Sequence, residues 1–168
     1  MAVSVTTAGS ARGLAAPLTR LVSVALALES TRAGDIAIVL TDDATLRDLN
    51  RRYRGIDRAT DVLSFSYEDA TLTPVLSLGA RTGRGRRLVS GDLAISLDRL
   101  AEQARRYRVT RGRELARLVI HGALHLAGLD HHRVAERRHM RAREEQALAA
   151  VRAPITALDR VLGRSARA

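Results

Sequence analysis

The twelve residues HGALHLAGLDHH, His121 to His132, hold four of the chain's five histidines and constrain local structure more tightly than any other stretch. His121 and His125 are four apart, so on a helix they project from one side, a turn apart. Leu115, Leu118, Val119, Gly122 and Leu126 form an apolar stripe that predicts this helix over 110–127. The two histidines flank the stripe, so the stripe can pack on a sheet while they face a cleft. Gly128, just past the helix, suits the left-handed conformation that ends one. The chain turns there, and Leu129 and Asp130 bring His131 back towards the other two histidines.

Three neutral imidazoles bind Zn²⁺ tetrahedrally and leave the fourth position to water, a catalytic rather than a structural arrangement. The metal lowers the pKa of that water towards neutrality. The chain has no cysteine, which excludes thiolate metal sites, disulfides and Cys nucleophiles. The spacing H-x-x-x-H-x-x-G-x-x-H matches the ligand spacing of the metzincin zinc proteases, with one departure: Gly122 stands where the protease places its general-base Glu. The bland alternative, three surface histidines at a helix end, requires both the spacing and the turning Gly to be coincidence. Asp130 either orients a ligand histidine through a hydrogen bond, the favoured role, or acts as a base on metal-bound water, or faces solvent. His132 could replace His131, though the spacing favours His131. His139 falls among arginines and reads as a solvated surface residue. Glu114, two turns before His121, either edges the cleft or is solvated.

The length, 168 residues, predicts one domain with a core of its own. Aromatics are only 2% of the chain, so small aliphatic side chains must fill most of the interior. The net charge is +10, which draws a chain towards polyanions. All 28 basic residues are Arg. Codon bias accounts for Arg in place of Lys, but less readily for 28 basic against 18 acidic residues. The start, MAVSVTTAGSARG, lacks the charged and apolar regions of a secretory signal. The run LVSVALALE is too short to span a bilayer. A cytoplasmic protein without membrane attachment is the expectation.

VSVTT at the start reads as a short edge strand, and residues 14–31 as a helix. Residues 34–40, 60–67 and 91–97 read as strands, and 44–53, 98–107, 110–127 and 133–151 as helices, with a further one over 155–162. Strands come early and helices late. The expectation is a single α+β domain over 1–168, with a small mixed sheet of about four strands, five to six helices and the metal site at the end of a central helix. Within it, 80–90 is expected to be a mobile basic loop and 152–168 a poorly constrained tail.

Two further blocks precede the histidines: LNRRYRGIDRATDVLSF, Leu49 to Phe65, and SGDLAIS, Ser90 to Ser96. In this order the three blocks resemble the YbeY family, single-domain zinc-dependent bacterial endoribonucleases involved in ribosomal RNA maturation. The resemblance covers roughly 35–145. It implies one Zn²⁺ per chain on His121, His125 and His131, and it implies that Arg54, in YRG, lines the substrate cleft. On the residues alone, Arg54 is one more solvated arginine. It further implies a single-strand-directed endoribonuclease in ribosomal RNA maturation and ribosome quality control. The implied partners are ribosomal RNA and ribosomal subunits, with ribosomal proteins or an assembly GTPase providing targeting. Leu129 departs from the bulky residue, often Tyr, that the family usually has there, and GARTGRGRRLVS is longer and more basic than is common.

Phosphodiester cleavage gives Gly122 a chemical rationale. Negative charge builds on phosphoryl oxygens, and a metal ion with an Arg can stabilise it. The planar guanidinium of Arg54 can hold phosphate oxygens bidentately. Attack by metal-bound hydroxide and by the RNA 2′-OH both remain open. Ser64 and Asp61 either line the cleft or fix the strand, and Thr60 and Asp61 read as caps of the strand entry. The alternatives are a non-catalytic ribosome assembly factor with a fold-stabilising zinc, or a metallohydrolase of another substrate class. The missing Glu counts against a peptidase. With one Phe, three Tyr and no Trp, RNA binding must lean on backbone charge rather than base stacking.

Overall fold

The structure is a computed structural model and describes residues 2–7, 12–67, 87–130 and 133–165. Four strands form one mixed sheet: β1 (Ala2–Thr7), β2 (Arg32–Thr41), β3 (Val62–Ser66) and β4 (Leu88–Ser96). Their order is β1-β2-β4-β3. β2 lies parallel to both β1 and β4, and β3 closes the other edge antiparallel to β4. Parallel pairs need long crossovers, and helices supply them. The helices are α1 (Ala15–Leu28), α2 (Asp43–Arg54), α3 (Leu97–Arg106), α4 (Arg111–Leu126), α5 (Val134–Ala150) and α6 (Arg152–Ser165). The single α+β domain expected from the sequence is the architecture found.

α4 is the central helix. Leu115, Ala116, Leu118, Val119, Ile120, Ala123 and Leu124 are all 0% exposed, so it is buried well beyond one stripe. The reason is that α1, α5 and α6 pack against it in addition to the sheet. Its start is capped twice: Thr110 accepts from the Arg113 amide at 3.2 Å, and Asp159 of α6 accepts from the Gly112 amide at 2.7 Å. The main core joins α1, α4 and one face of the sheet, and a smaller cluster of Leu46, Leu63 and Ala94 sits under α2. β3 therefore has one face towards α2 and the other towards α4. Tyr67, just past β3, donates its hydroxyl to Asp92 of β4 at 2.6 Å. Burial, and then that carboxylate, push the phenol up to about 12.

Two expectations need correction. The sequence predicts a poorly constrained tail over 152–168 with a helix over 155–162; the described part, 152–165, forms the longer and anchored α6. Leu158 is fully buried, worth roughly 1.5–3 kcal/mol, and Asp159 grips the start of α4. Of the expected mobile loop 80–90, residues 80–86 lie outside the described residues. Leu88, Val89 and Ser90 belong to β4, because Leu88 and Val89 pair with Arg32 and Ala33 of β2. Among the described residues, no helix is long and apolar enough to cross a membrane.

Candidate active site

A cleft of about 870 Å³ opens beside the last turns of α4, lined by β3, α5, the end of α2 and the turn 128–130. His121 and His125 enter it from α4 one turn apart. Their ring centroids are 4.7 Å apart and their planes stand at 77°. His121 is partly buried, its side chain 24% exposed, and its Nδ1 lies 2.6 Å from Glu144 Oε1 on α5. An ionised carboxylate only accepts, so Nδ1 carries the proton and Nε2 is the ring nitrogen suited to bind a metal. Glu144 escaped the sequence reading. It stands beside Glu145 in a polar helix, and nothing local separates the two; only the docking of α5 against α4 does.

Gly122 has a packing explanation. A Cβ there would lie 2.7 Å from Leu93 Cδ2, and Leu93 is fully buried on β4. The Gly122 Cα borders the cleft, yet the direction a side chain would take leads into the sheet. Gly128 turns the chain at φ 95°. Its amide donates to His125 O at 2.9 Å, and that of Leu129 donates to Leu124 O at 3.0 Å, a Schellman arrangement. Arg87 Nη2 donates to Ala127 O at 2.6 Å, placing a cation at the negative end of α4. His131 and His132 lie outside the described residues.

Arg54, the last residue of α2, reaches across the edge strand and donates from Nη2 to Ser64 O at 3.3 Å. Arg54, Ser64, His121, His125 and the exposed Asp130 all border the same cleft. Thr60 and Asp61 border it too. Asp61 accepts from its neighbour's amide at Val62 (2.9 Å) and from Gln103 Nε2 (3.1 Å), so it fixes the strand entry. His139 is half exposed, 3.8 Å from Glu29, and not part of the cleft lining.

Glu114 is not solvated; it is 2% exposed. Its Oε1 accepts from Arg117 Nε at 2.9 Å and Nη2 at 2.6 Å, and Arg117 Nη2 lies 3.7 Å from Asp61. Burial pulls the Arg117 guanidinium down, but the Glu114 hydrogen bond and charge outweigh it, and the guanidinium is held above its ordinary value. Arg117 is thus neutralised inside the cleft floor. Glu114→Ala would strand that partly buried cation and is expected to cost about 1–3 kcal/mol, read from the midpoint of urea unfolding.

The donor set suits a borderline-soft divalent ion. Two imidazoles share one face of a rigid helix, and one is already oriented through its remote nitrogen. Among the described residues no three candidate ligands converge, and the third histidine of the pattern lies outside them.

Comparison with known proteins gives a consistent result. The family model for endoribonuclease YbeY matches residues 10–152. The endoribonuclease YbeY of Roseiflexus sp. (strain RS-1) is 48% identical over 118 residues, 70% of each chain. That of Chloroflexus aggregans is 42% identical over 142 residues, 83% of this chain and 89% of its own. That of Moorella thermoacetica is 40% identical over 139 residues, covering 82% and 86%. The solution structure of TM1509 from Thermotoga maritima shares the fold, with a TM-score of 0.56 at 24% identity over 89% of both chains.

Proposed function

Because the chain belongs to the endoribonuclease YbeY family, we propose that it cleaves RNA phosphodiesters using one zinc ion per chain on His121, His125 and His131. Its substrates are single-stranded segments of ribosomal RNA, in ribosome maturation and quality control in the cytoplasm. Ribosomal subunits are the partners, with ribosomal proteins or an assembly GTPase as targeting factors. The observation that supports this most directly is the meeting of Arg54 and the histidine pair in one cleft.

The residues divide the work. Zinc, when bound, supplies a Lewis acid and activates water at neutral pH. Glu144 keeps the His121 proton on Nδ1, so the imidazole presents Nε2 to the metal. Arg54, braced by the Ser64 carbonyl, offers two N–H donors to the non-bridging oxygens of the scissile phosphate. That charge grows in the transition state, so the contact strengthens as the reaction proceeds. The Ser64 hydroxyl lies in reach of the same strand of substrate. Asp130 orients a ligand histidine at the cleft mouth. Gly122 stands where a peptidase places its base, and a Cβ there would meet Leu93 of β4.

The test is elemental analysis of the untagged protein, paired with cleavage of a structured ribosomal RNA fragment by the metal-loaded and metal-stripped forms. About one zinc per chain and metal-dependent cleavage are expected. Stoichiometric zinc without cleavage would transfer the assignment to a non-catalytic assembly factor, and no metal would remove the three-histidine site. Arg54→Ala should retain zinc and cleave about 10²–10³-fold more slowly. Full activity in that variant would end the phosphate role of Arg54.

A further inference from the structure

Two of the contacts that orient α5 face the cleft. Met140 is buried, and Glu144 holds the His121 ring. Arg137, Met140, Arg141 and Glu144 recur at i, i+3, i+4 and i+7, so they share one face of the helix. All four border the cleft, and both arginines are exposed. The other arginines of α5 are turned elsewhere. Arg138 is exposed but does not border the cleft, and Arg143 is committed to Glu29 at 2.8 Å. In the sequence these arginines look alike; the Glu144 anchor is what sorts them.

Three carboxylates near this face have other duties. Glu144 is engaged by His121, Asp61 by the Val62 amide and Gln103, and Glu114 by Arg117. Arg141 makes no ion pair among the described residues. We propose that Arg141 and Arg137 form a phosphate track on α5, gripping the substrate strand on phosphates that flank the one served by Arg54. This rests on the reading that RNA is the substrate. The two arginines are one turn apart, about 6 Å along the helix, on long flexible side chains. Arg54 comes from the α2–β3 side of α4 and the track from the α5 side, so a single strand crossing the histidines is held from both walls. Such contacts read backbone charge and not sequence, which suits a chain with few aromatics.

The experiment is fluorescence anisotropy of labelled oligouridylate on the full-length, metal-stripped protein, repeated across a salt series. The wild type is compared with Arg141→Ala, Arg137→Ala and, as a control of equal charge change on the same helix, Arg138→Ala. Each track variant is expected to bind several-fold more weakly at low salt. Each should flatten the slope of log affinity against log salt by about 0.7, the value for one phosphate contact on a single strand. Arg138→Ala should keep the wild-type slope, and zinc content after reloading should be unchanged in all three. Three variants that behave alike, whether all unchanged or all weakened equally, would overturn the track while RNA binding by the wild type still stood. A wild type that binds no oligouridylate would instead remove the RNA reading itself.

Discussion

Gly122→Glu, which would complete the metzincin pattern, is expected to destabilise the chain by about 3 kcal/mol or more and to create no peptidase. The Cβ position is set by the backbone, so no rotamer escapes the contact 2.7 Å from Leu93 Cδ2. Leu93 is fully buried, and Val62 Cγ2 stands 3.5 Å from the same point. Overpacking of this kind costs about 1–3 kcal/mol. A carboxylate trapped between helix and sheet without a partner adds several more. A domain has only about 5–15 kcal/mol of stability in total. Gly122→Ala separates the two costs: it regains about 1 kcal/mol of helix propensity against the same overpacking, so its loss should be much smaller. Urea unfolding of both variants, followed by far-UV circular dichroism, measures the difference. A Glu variant as stable as the wild type would show that α4 and β4 do not approach as described.

His125→Ala is expected to lose bound zinc and RNA cleavage together, with both falling from full values to background. His125 lies on the last turn of α4, one turn beyond His121, and the Schellman turn at Gly128 follows immediately. Removing it takes away one of only three proposed ligands. The ring held by Glu144 cannot compensate, because its position is fixed by α5. His125 is only partly buried, so its removal leaves no closed cavity and the apo fold should persist. Elemental analysis, a cleavage assay and circular dichroism on one preparation check all three outcomes. Zinc retained at one per chain would exclude His125 as a ligand, whatever happened to cleavage.

Much of the framework was readable locally, for definite physical reasons. β-branched alternation in 34–40 marks β2, and Asp42 and Thr110 mark helix starts that the structure caps through Thr45 and Arg113. Histidines four apart on an apolar helix must share a side, and Gly after that helix must turn it. Arg54 entered only through the family resemblance, since its own surroundings in the sequence are merely basic.

Position in the sequence alone therefore determined element type, order and the direction of His121 and His125, because helical and strand periods act over a few residues. The tertiary structure decided the rest. Glu114 looked solvated and is buried against Arg117; residues 152–165 looked loose and are anchored by Leu158 and Asp159. Glu144 and Arg141 acquire roles only through the rotation of α5 about its own axis, which its packing on α4 and α1 imposes. Even the glycine at 122 means different things at the two levels: a missing base in the sequence, and in the fold a place where a Cβ would press on the Leu93 side chain of β4. Contacts between residues distant in the chain carry no local period, so only the packed structure reveals them.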